Sequence, residues 1–220
     1  MIKGAIFDMD GVLVDNLDAH IAAFTEFCRR HNTELTPADI DKLFGQGNDT
    51  IIPAILPAEV IEEMGIDALA AEKEAIYREL YAATIEPVAG LQEYLAELTA
   101  TGVRCAVGSS GPKENVDFVL SALDIEKYFD VKVNGDMVTR RKPDPEIFQT
   151  ATRMLGYQPE ECVVFEDSLS GIASAHAAEN KVIGVATTLS PDKITANTKT
   201  DLIIKDFTEL TAEQTLALGK

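Results

Sequence analysis

Basic residues are in short supply in this sequence. Nineteen lysines and arginines stand against thirty-seven aspartates and glutamates, a formal net charge of −18. A surface of that sign repels nucleic acid and anionic membranes as a whole, so a phosphate-bearing ligand needs a locally cationic pocket. No nucleic-acid partner is expected. Cysteine is equally sparse. Cys28, Cys105 and Cys162 are isolated in apolar contexts, with no CxxC pair and no Cys/His metal spacing. Buried free thiols in a reducing compartment follow from that. No apolar run approaches the roughly 20 residues of a membrane span. A single lysine precedes Asp8, which leaves no room for a secretory leader, so a cytoplasmic protein without a membrane partner is expected. Internal repeats and low-complexity linkers are lacking. The run Gly108-Ser109-Ser110-Gly111-Pro112-Lys113 also lacks the G-x4-GK[ST] spacing of a nucleotide-binding P-loop.

What is present suits a soluble globular chain: 220 residues, 46% of them hydrophobic, enough for one large α/β domain or a core plus a smaller domain. The stretch Ile2-Lys3-Gly4-Ala5-Ile6-Phe7-Asp8-Met9-Asp10-Gly11 reads as a buried parallel strand ending in two carboxylates and a glycine. On an extended backbone Asp8 and Asp10 share a face. Carboxylates about 5 Å apart repel by about 3 kcal/mol at an effective dielectric near 20. A cation has to come from elsewhere, as a bound metal or as a Lys or Arg delivered by the fold.

From Asn16 to Thr84 the pattern is helical. Leu17, Ile21, Phe24 and Cys28 form one apolar stripe. Thr36-Pro37 with Asp39 reads as a helix start, Gly45-Gln46-Gly47-Asn48 as a break. A helix over 46–56 stops before Pro57, and one over 67–83 turns Leu69, Ile76 and Leu80 inward. From Pro87 the texture changes to short apolar runs alternating with amphipathic segments. Strands are expected at 103–108, 131–133, 162–165, 181–186 and 201–204, with helices at 88–101 (ended by Gly102), 112–122, 145–155 and 169–179.

That alternation implies a Rossmann-like parallel sheet with helices on both faces. The all-helical segment inserted after the first strand reads as a separate cap domain, 16–86, on a core of 1–15 and 87–220. Ligands of open α/β sheets bind at the carboxyl ends of strands. The Asp8/Asp10 pair, Ser109 (or Ser110, if the strand slips by one) and the Glu166/Asp167 pair all fall at such ends. With Lys142 they form a hard-oxygen set that suits Mg²⁺ and not a thiolate metal.

In these residues the chain resembles the haloacid dehalogenase superfamily. Asp8-Met9-Asp10-Gly11-Val12 matches its first motif, Ser109 its second, Lys142 in Arg141-Lys142-Pro143 its third and Glu166-Asp167 its fourth. The resemblance implies that Asp8 is a nucleophile forming an aspartyl-phosphate and that Asp10 is the general acid and base. It implies Mg²⁺ ligation by Asp8, Asp167 and the backbone carbonyl of Asp10, with Glu166 supporting directly or through water. Ser109 would donate to a phosphoryl oxygen and Lys142 would balance charge.

Ile147-Phe148 after Lys142-Pro143-Asp144-Pro145, and Ser168 with Gly171-Ile172, are similar to the β-phosphoglucomutase-like subgroup, which has a small helical cap. His20 matches a substrate-side histidine where the chain passes into that cap, or is a helix residue beside the Leu17/Phe24 stripe. Lys73 matches a cap lysine, or is an exposed i,i+4 partner. Asn48 stands where the mutase has a phosphate-gripping arginine, a bidentate contact that asparagine cannot replace.

The implied activity is therefore a Mg²⁺-dependent phosphatase acting on a small phosphorylated metabolite, a sugar phosphate first. A sugar-phosphate mutase is the alternative. A dehalogenase is disfavoured by Asp10, an acid that branch lacks. A receiver-like signalling domain is disfavoured by Asp10 and by the helical insertion. With no exposed apolar stripe, a monomer is expected.

Overall fold

The computed structural model describes residues 1–36, 39 and 47–219. Pro37 and the Gly45-Gln46 part of the expected break lie outside them. The described chain forms two compact units, Met1–Asp15 with Ile85–Lys220 and Asn16–Thr84.

In the first unit, six strands run parallel: β1 Gly4–Phe7, β2 Arg104–Gly108, β3 Phe129–Val133, β4 Cys162–Glu166, β5 Lys181–Val185 and β6 Leu202–Ile204. Their order in the sheet is β3-β2-β1-β4-β5-β6. The chain steps outward from β1 on one side, then returns to add β4 on the other, so the order reverses beside β1. Phe7 is level with Val107 of β2 and Phe165 of β4. The next residues along, Asp8, Gly108 and Glu166, therefore reach the carboxyl edge together, at the point where such sheets leave a crevice.

Central strands buried on both faces need apolar side chains throughout, and β1 and β4 are buried at every position. Phe7 lies flat on Phe165, ring centroids 4.4 Å apart, and meets Phe129 edge-on at 5.8 Å. Tyr94 and Phe207 complete this aromatic floor beneath the carboxyl edge.

Among the described residues, the helical segments of the second unit are α1 Leu17–Arg30, α2 Asn48–Ile55, α3 Ala58–Met64 and α4 Ile66–Tyr81. The stripe on α1 is displaced from the expected one. Ala23, Phe24, Phe27 and Cys28 are buried, while Leu17 and Ile21 are only half covered. Helix α3 was not expected; Pro57 does not merely end α2, because it stands directly before α3. Leu80, expected inward, is 44% exposed. The last turn of α4 buries Tyr81 instead, whose ring packs against Tyr77 at 5.6 Å.

In the first unit the helices are α5 Leu91–Ala100, α6 Lys113–Ala122, α7 Glu146–Leu155, α8 Leu169–Ala177, α9 Pro191–Asn197 and α10 Ala212–Ala217. Gly102, at φ +87, follows the end of α5 as expected. All three cysteines are free and buried. Burial pushes the Cys105 thiol up to about 12 and that of Cys162 up to about 11.

Candidate active site

The carboxyl edge of β1 is where the charge gathers. β1 ends at Phe7, and Asp8 keeps one more sheet-like bond by donating its N–H to the Phe165 carbonyl at 3.0 Å. The chain then turns back on itself. Leu13 N–H donates to the Met9 carbonyl at 2.8 Å and Gly11 N–H to the Val14 carbonyl at 2.7 Å. The expectation that Asp8 and Asp10 share a strand face is thus corrected, since both lie beyond the strand. Asp10 still acts on Asp8 through its charge.

Gly11 adopts φ +76, and a Cβ there would lie 2.0 Å from Asp167 Oδ2. Glycine is required at that position twice over, by conformation and by close approach.

Lys142 comes from the loop between β3 and α7, beside a cis Lys142–Pro143 peptide. Its Nζ donates to Asp8 Oδ1 at 2.8 Å and to Glu166 Oε1 at 2.7 Å. The ammonium also sits 4.7 Å from the Phe148 ring centroid. Burial disfavours this charge, but Asp8 and then Glu166 outweigh it and hold the lysine above its usual range.

Asp8, Glu166 and Asp167 each offer a carboxylate oxygen within 4.8 Å of the others, all three buried. Three carboxylates against one ammonium leave two negative charges when all are ionised. Burial pushes the Asp8 carboxyl up to about 7; Lys142 opposes that shift, and Glu166 and Asp10 reinforce it. Asp167 is raised well above the usual carboxylate range by burial, then by Glu166 and Asp8. A divalent cation with a preference for hard oxygen donors would relieve this excess, so the residues fit Mg²⁺.

The acids are not equivalent. Glu166 is fully buried. Its Oε2 accepts from the Ser168 N–H at 2.8 Å and the Ser168 hydroxyl at 3.0 Å, while Oε1 accepts from Lys142. Ser168 also caps α8 by accepting from the Gly171 N–H. Glu166 is therefore built to hold Lys142 and the start of α8. A Cβ on Gly171 would fall 1.6 Å from Glu166 Oε1.

Ser109 follows the last residue of β2 and is fully buried. Its Oγ accepts the Gly111 N–H at 3.0 Å, which leaves its O–H as a donor. Ser110 is exposed.

The helical unit carries its own polar cluster. Lys73 is 2% exposed, which corrects the expectation of a surface partner. Its Nζ donates to Glu74 Oε1 at 2.9 Å, lies 3.0 Å from His20 Nδ1, and stands over the Phe24 ring at 4.4 Å. Asn48 donates to the same Glu74 oxygen at 2.7 Å. The His20 ring stacks on Tyr77 at 4.1 Å, and Asn16 donates to the Tyr77 hydroxyl at 2.6 Å.

Burial works to raise the Glu74 carboxyl, but Lys73, His20 and Asn48 outweigh it and hold it below the usual range. Asn16, Glu74 and Tyr77 were not foreseen as part of this cluster. The available signal was helical spacing: Asn16 precedes His20 by four residues, as Lys73 precedes Tyr77.

An acidic crevice at the carboxyl edge of a parallel sheet, with one buried lysine between its carboxylates, defines a haloacid dehalogenase-type site. Residues 5–185 match the haloacid dehalogenase-like hydrolase family, and the chain belongs to that family, in its β-phosphoglucomutase-like subgroup. It is 31% identical over 196 residues to a phosphorylated carbohydrates phosphatase of Thermotoga maritima, covering 87% of this chain and 89% of that protein. It is also 31% identical to the fructose-1-phosphate phosphatase YqaB of Escherichia coli, covering 83% of this chain and 95% of the relative. Among solved structures, a putative β-phosphoglucomutase from Thermotoga maritima superposes with a TM-score of 0.74 at 26% identity, covering 99% of this chain and 98% of that one. Among the described residues, no helix is long and apolar enough to cross a membrane.

Proposed function

We propose that the protein is a Mg²⁺-dependent phosphatase acting on a small phosphorylated metabolite, a sugar phosphate. The observation that carries the reading is Lys142, which donates to Asp8 and Glu166 at 2.8 and 2.7 Å, where both carboxylates cluster with that of Asp167. Asp8 and Asp167, with the carbonyl of Asp10 and the support of Glu166, would hold the metal. A bound Mg²⁺ would supply neutralising charge at the transferring phosphoryl oxygens.

In this reading the Asp8 carboxylate attacks phosphorus and forms an aspartyl-phosphate as the bond to the leaving oxygen breaks. Asp10 protonates that oxygen. The Asp10 carboxylate then takes a proton from water, whose oxygen attacks phosphorus and frees Asp8 and inorganic phosphate. Lys142 keeps Asp8 oriented, and the Ser109 O–H donates to a phosphoryl oxygen.

The polar cluster of the helical unit is where substrate preference is set, through His20, Lys73 and Asn48. Asparagine at position 48, bonded to Glu74, supports hydrolysis over mutase chemistry because it offers no guanidinium to a second phosphate. The two curated relatives, named for phosphorylated carbohydrates and fructose 1-phosphate, support the substrate class. The free, buried cysteines support a reducing, cytoplasmic location, and a monomer suffices for the site as drawn.

The test is a screen of phosphorylated sugars with and without Mg²⁺, including β-glucose 1-phosphate. Metal-dependent release of free phosphate is the expected result. Isomerised sugar phosphate without phosphate release would establish the mutase instead.

A further inference from the structure

We infer that Thr187, in the loop after β5, is a positioning residue that fixes the turn carrying Asp10 and so aims the general acid at the leaving oxygen. The assignment rests on the phosphatase reading above. Its basis is a hydrogen bond. The Thr187 hydroxyl donates to the Gly11 carbonyl at 2.5 Å, across 176 positions of sequence.

Gly11 adopts φ +76, and a glycine backbone rotates at little cost, so the bonds on either side of it decide where Asp10 is held. Within the turn, the Met9 carbonyl accepts from Leu13 at 2.8 Å and the Val14 carbonyl from Gly11 at 2.7 Å. Bonds to distant parts of the same unit anchor it. Val88 N–H donates to the Leu13 carbonyl at 3.0 Å and secures the limb that leaves the site. Thr187 secures the limb next to Asp10.

The loop after β5 is well placed for this. Gly184 of β5 is level with Glu166 of β4, so the chain that follows runs past the carboxyl edge. Ala186 N–H donates to the Ile204 carbonyl at 2.8 Å, which extends the sheet bonding to the residue before Thr187. A Cβ on Gly11 would meet Thr188 Oγ1 at 3.0 Å, so loop and turn are in contact. A β-branched hydroxyl residue suits the task, since its restricted χ1 aims the donor with little loss of freedom. It is also neutral and adds no charge to the acidic crevice.

In the first step Asp10 gives its proton to the leaving oxygen as the phosphorus–oxygen bond breaks and Asp8 takes the phosphoryl group. A misplaced acid slows that step for a sugar alkoxide, a poor leaving group without the proton. It matters little for p-nitrophenolate, which departs as the anion. The ratio kcat/KM follows the reaction only as far as that departure, before the hydrolysis in which Asp10 serves as base.

The experiment measures kcat/KM on the full chain with Mg²⁺, for the sugar phosphate turned over fastest in the screen above and for p-nitrophenyl phosphate. Thr187→Val keeps the shape of threonine and removes the donor; Thr187→Ser keeps the donor. Thr187→Val is expected to lose about 10- to 100-fold on the sugar phosphate, as groups misplaced by about 1 Å do, and to stay within about threefold on p-nitrophenyl phosphate. Thr187→Ser should stay within about threefold on both. Thr187→Ala is run in parallel and is read in the same way should the valine variant fail to fold. Equal losses on both substrates, or no loss on the sugar phosphate, overturn the assignment and leave the phosphatase reading intact. A serine variant as impaired as the valine one overturns it too, since shape and not the donor would then matter. Asp10→Asn should show the same selectivity in stronger form; equal loss on both substrates would remove Asp10 as the acid, and this assignment with it. Failure of the unmutated protein to release phosphate from either substrate would overturn the phosphatase reading itself.

Discussion

Lys73 and Glu74 are neighbours in sequence and form a buried ion pair, Nζ to Oε1 at 2.9 Å. Side chains one residue apart on a helix normally point about 100° apart, so a pair at this spacing needs outside support. Here His20 and Asn48 supply it, from two other helices. Removing one member leaves the other charge without its partner in a poor solvent.

Lys73→Met is therefore expected to destabilise the protein by about 3 kcal/mol at neutral pH. Urea unfolding followed by circular dichroism checks this. The pH dependence has a definite sign. The Glu74 carboxyl is held below its unfolded value, so its contribution is present above the usual glutamate range and fades as pH falls through the lowered folded value. The difference between the two proteins should shrink on acidification. A constant difference down to strongly acid pH would contradict it.

Asp8→Asn is expected to reduce kcat by about four orders of magnitude or more, because the amide cannot carry the phosphoryl group. The same change removes a buried charge from a crowded acidic site. In metal-free buffer at pH 8 the variant should melt no lower than the original protein, and differential scanning calorimetry tests that. Retention of most activity would remove Asp8 from the role of nucleophile.

The Asp8 carboxyl, pushed up to about 7, also predicts how activity depends on pH. At limiting Mg²⁺, kcat/KM should rise as pH passes through about 7, since only the carboxylate attacks. Saturating Mg²⁺ favours the charged form and should move that midpoint to lower pH. For stability the sign is opposite to that of Glu74. An acid raised in the folded state contributes stability that is complete below its unfolded value and is lost as pH rises through 7. Pairing rate profiles at two Mg²⁺ concentrations with melting curves of the metal-free protein reads both effects; a midpoint indifferent to Mg²⁺ would count against metal ligation by Asp8.

Gly171→Ala is a conservative change with a large expected effect. The new methyl would fall on Glu166 Oε1, 1.6 Å away, displacing the oxygen that Lys142 bonds. A loss of about 1–3 kcal/mol is expected from overpacking. Activity should fall even where the protein remains folded, and a thermal melt alongside a rate measurement separates the two.

The strands and their order of use were legible because each is a short apolar run closed by a glycine or a polar cluster, as in Val103–Gly108 or Cys162–Glu166. The helix end marked by Gly102 was legible for the same local reason. The helical unit was read less well. Helix α3 has no buried residues and hence no apolar stripe to signal it. Lys73 looked like a surface charge because nothing near it in sequence forecast His20 and Asn48 as its company.

In the candidate site the distinction is similar. Asp8 and Asp10 stood out as adjacent acids with a conflict to resolve. The meeting of Lys142 with Asp8 spans 134 positions and was indicated by family resemblance alone. Thr187, whose hydroxyl donates to the Gly11 carbonyl in the turn after β1, went unnoticed, since a threonine after an apolar strand carries no pattern of its own.

The family match ends at Val185, but the folded body does not. Phe207, beyond that limit, packs against Phe7, Tyr94 and Phe165, directly below the acidic crevice. β6 and Thr187 also lie in this last stretch. An expression fragment cut at the edge of the recognisable homology would therefore lose an outer strand and the hydroxyl that holds the Gly11 turn, and would uncover the Phe7 and Phe165 rings beneath the carboxyl edge.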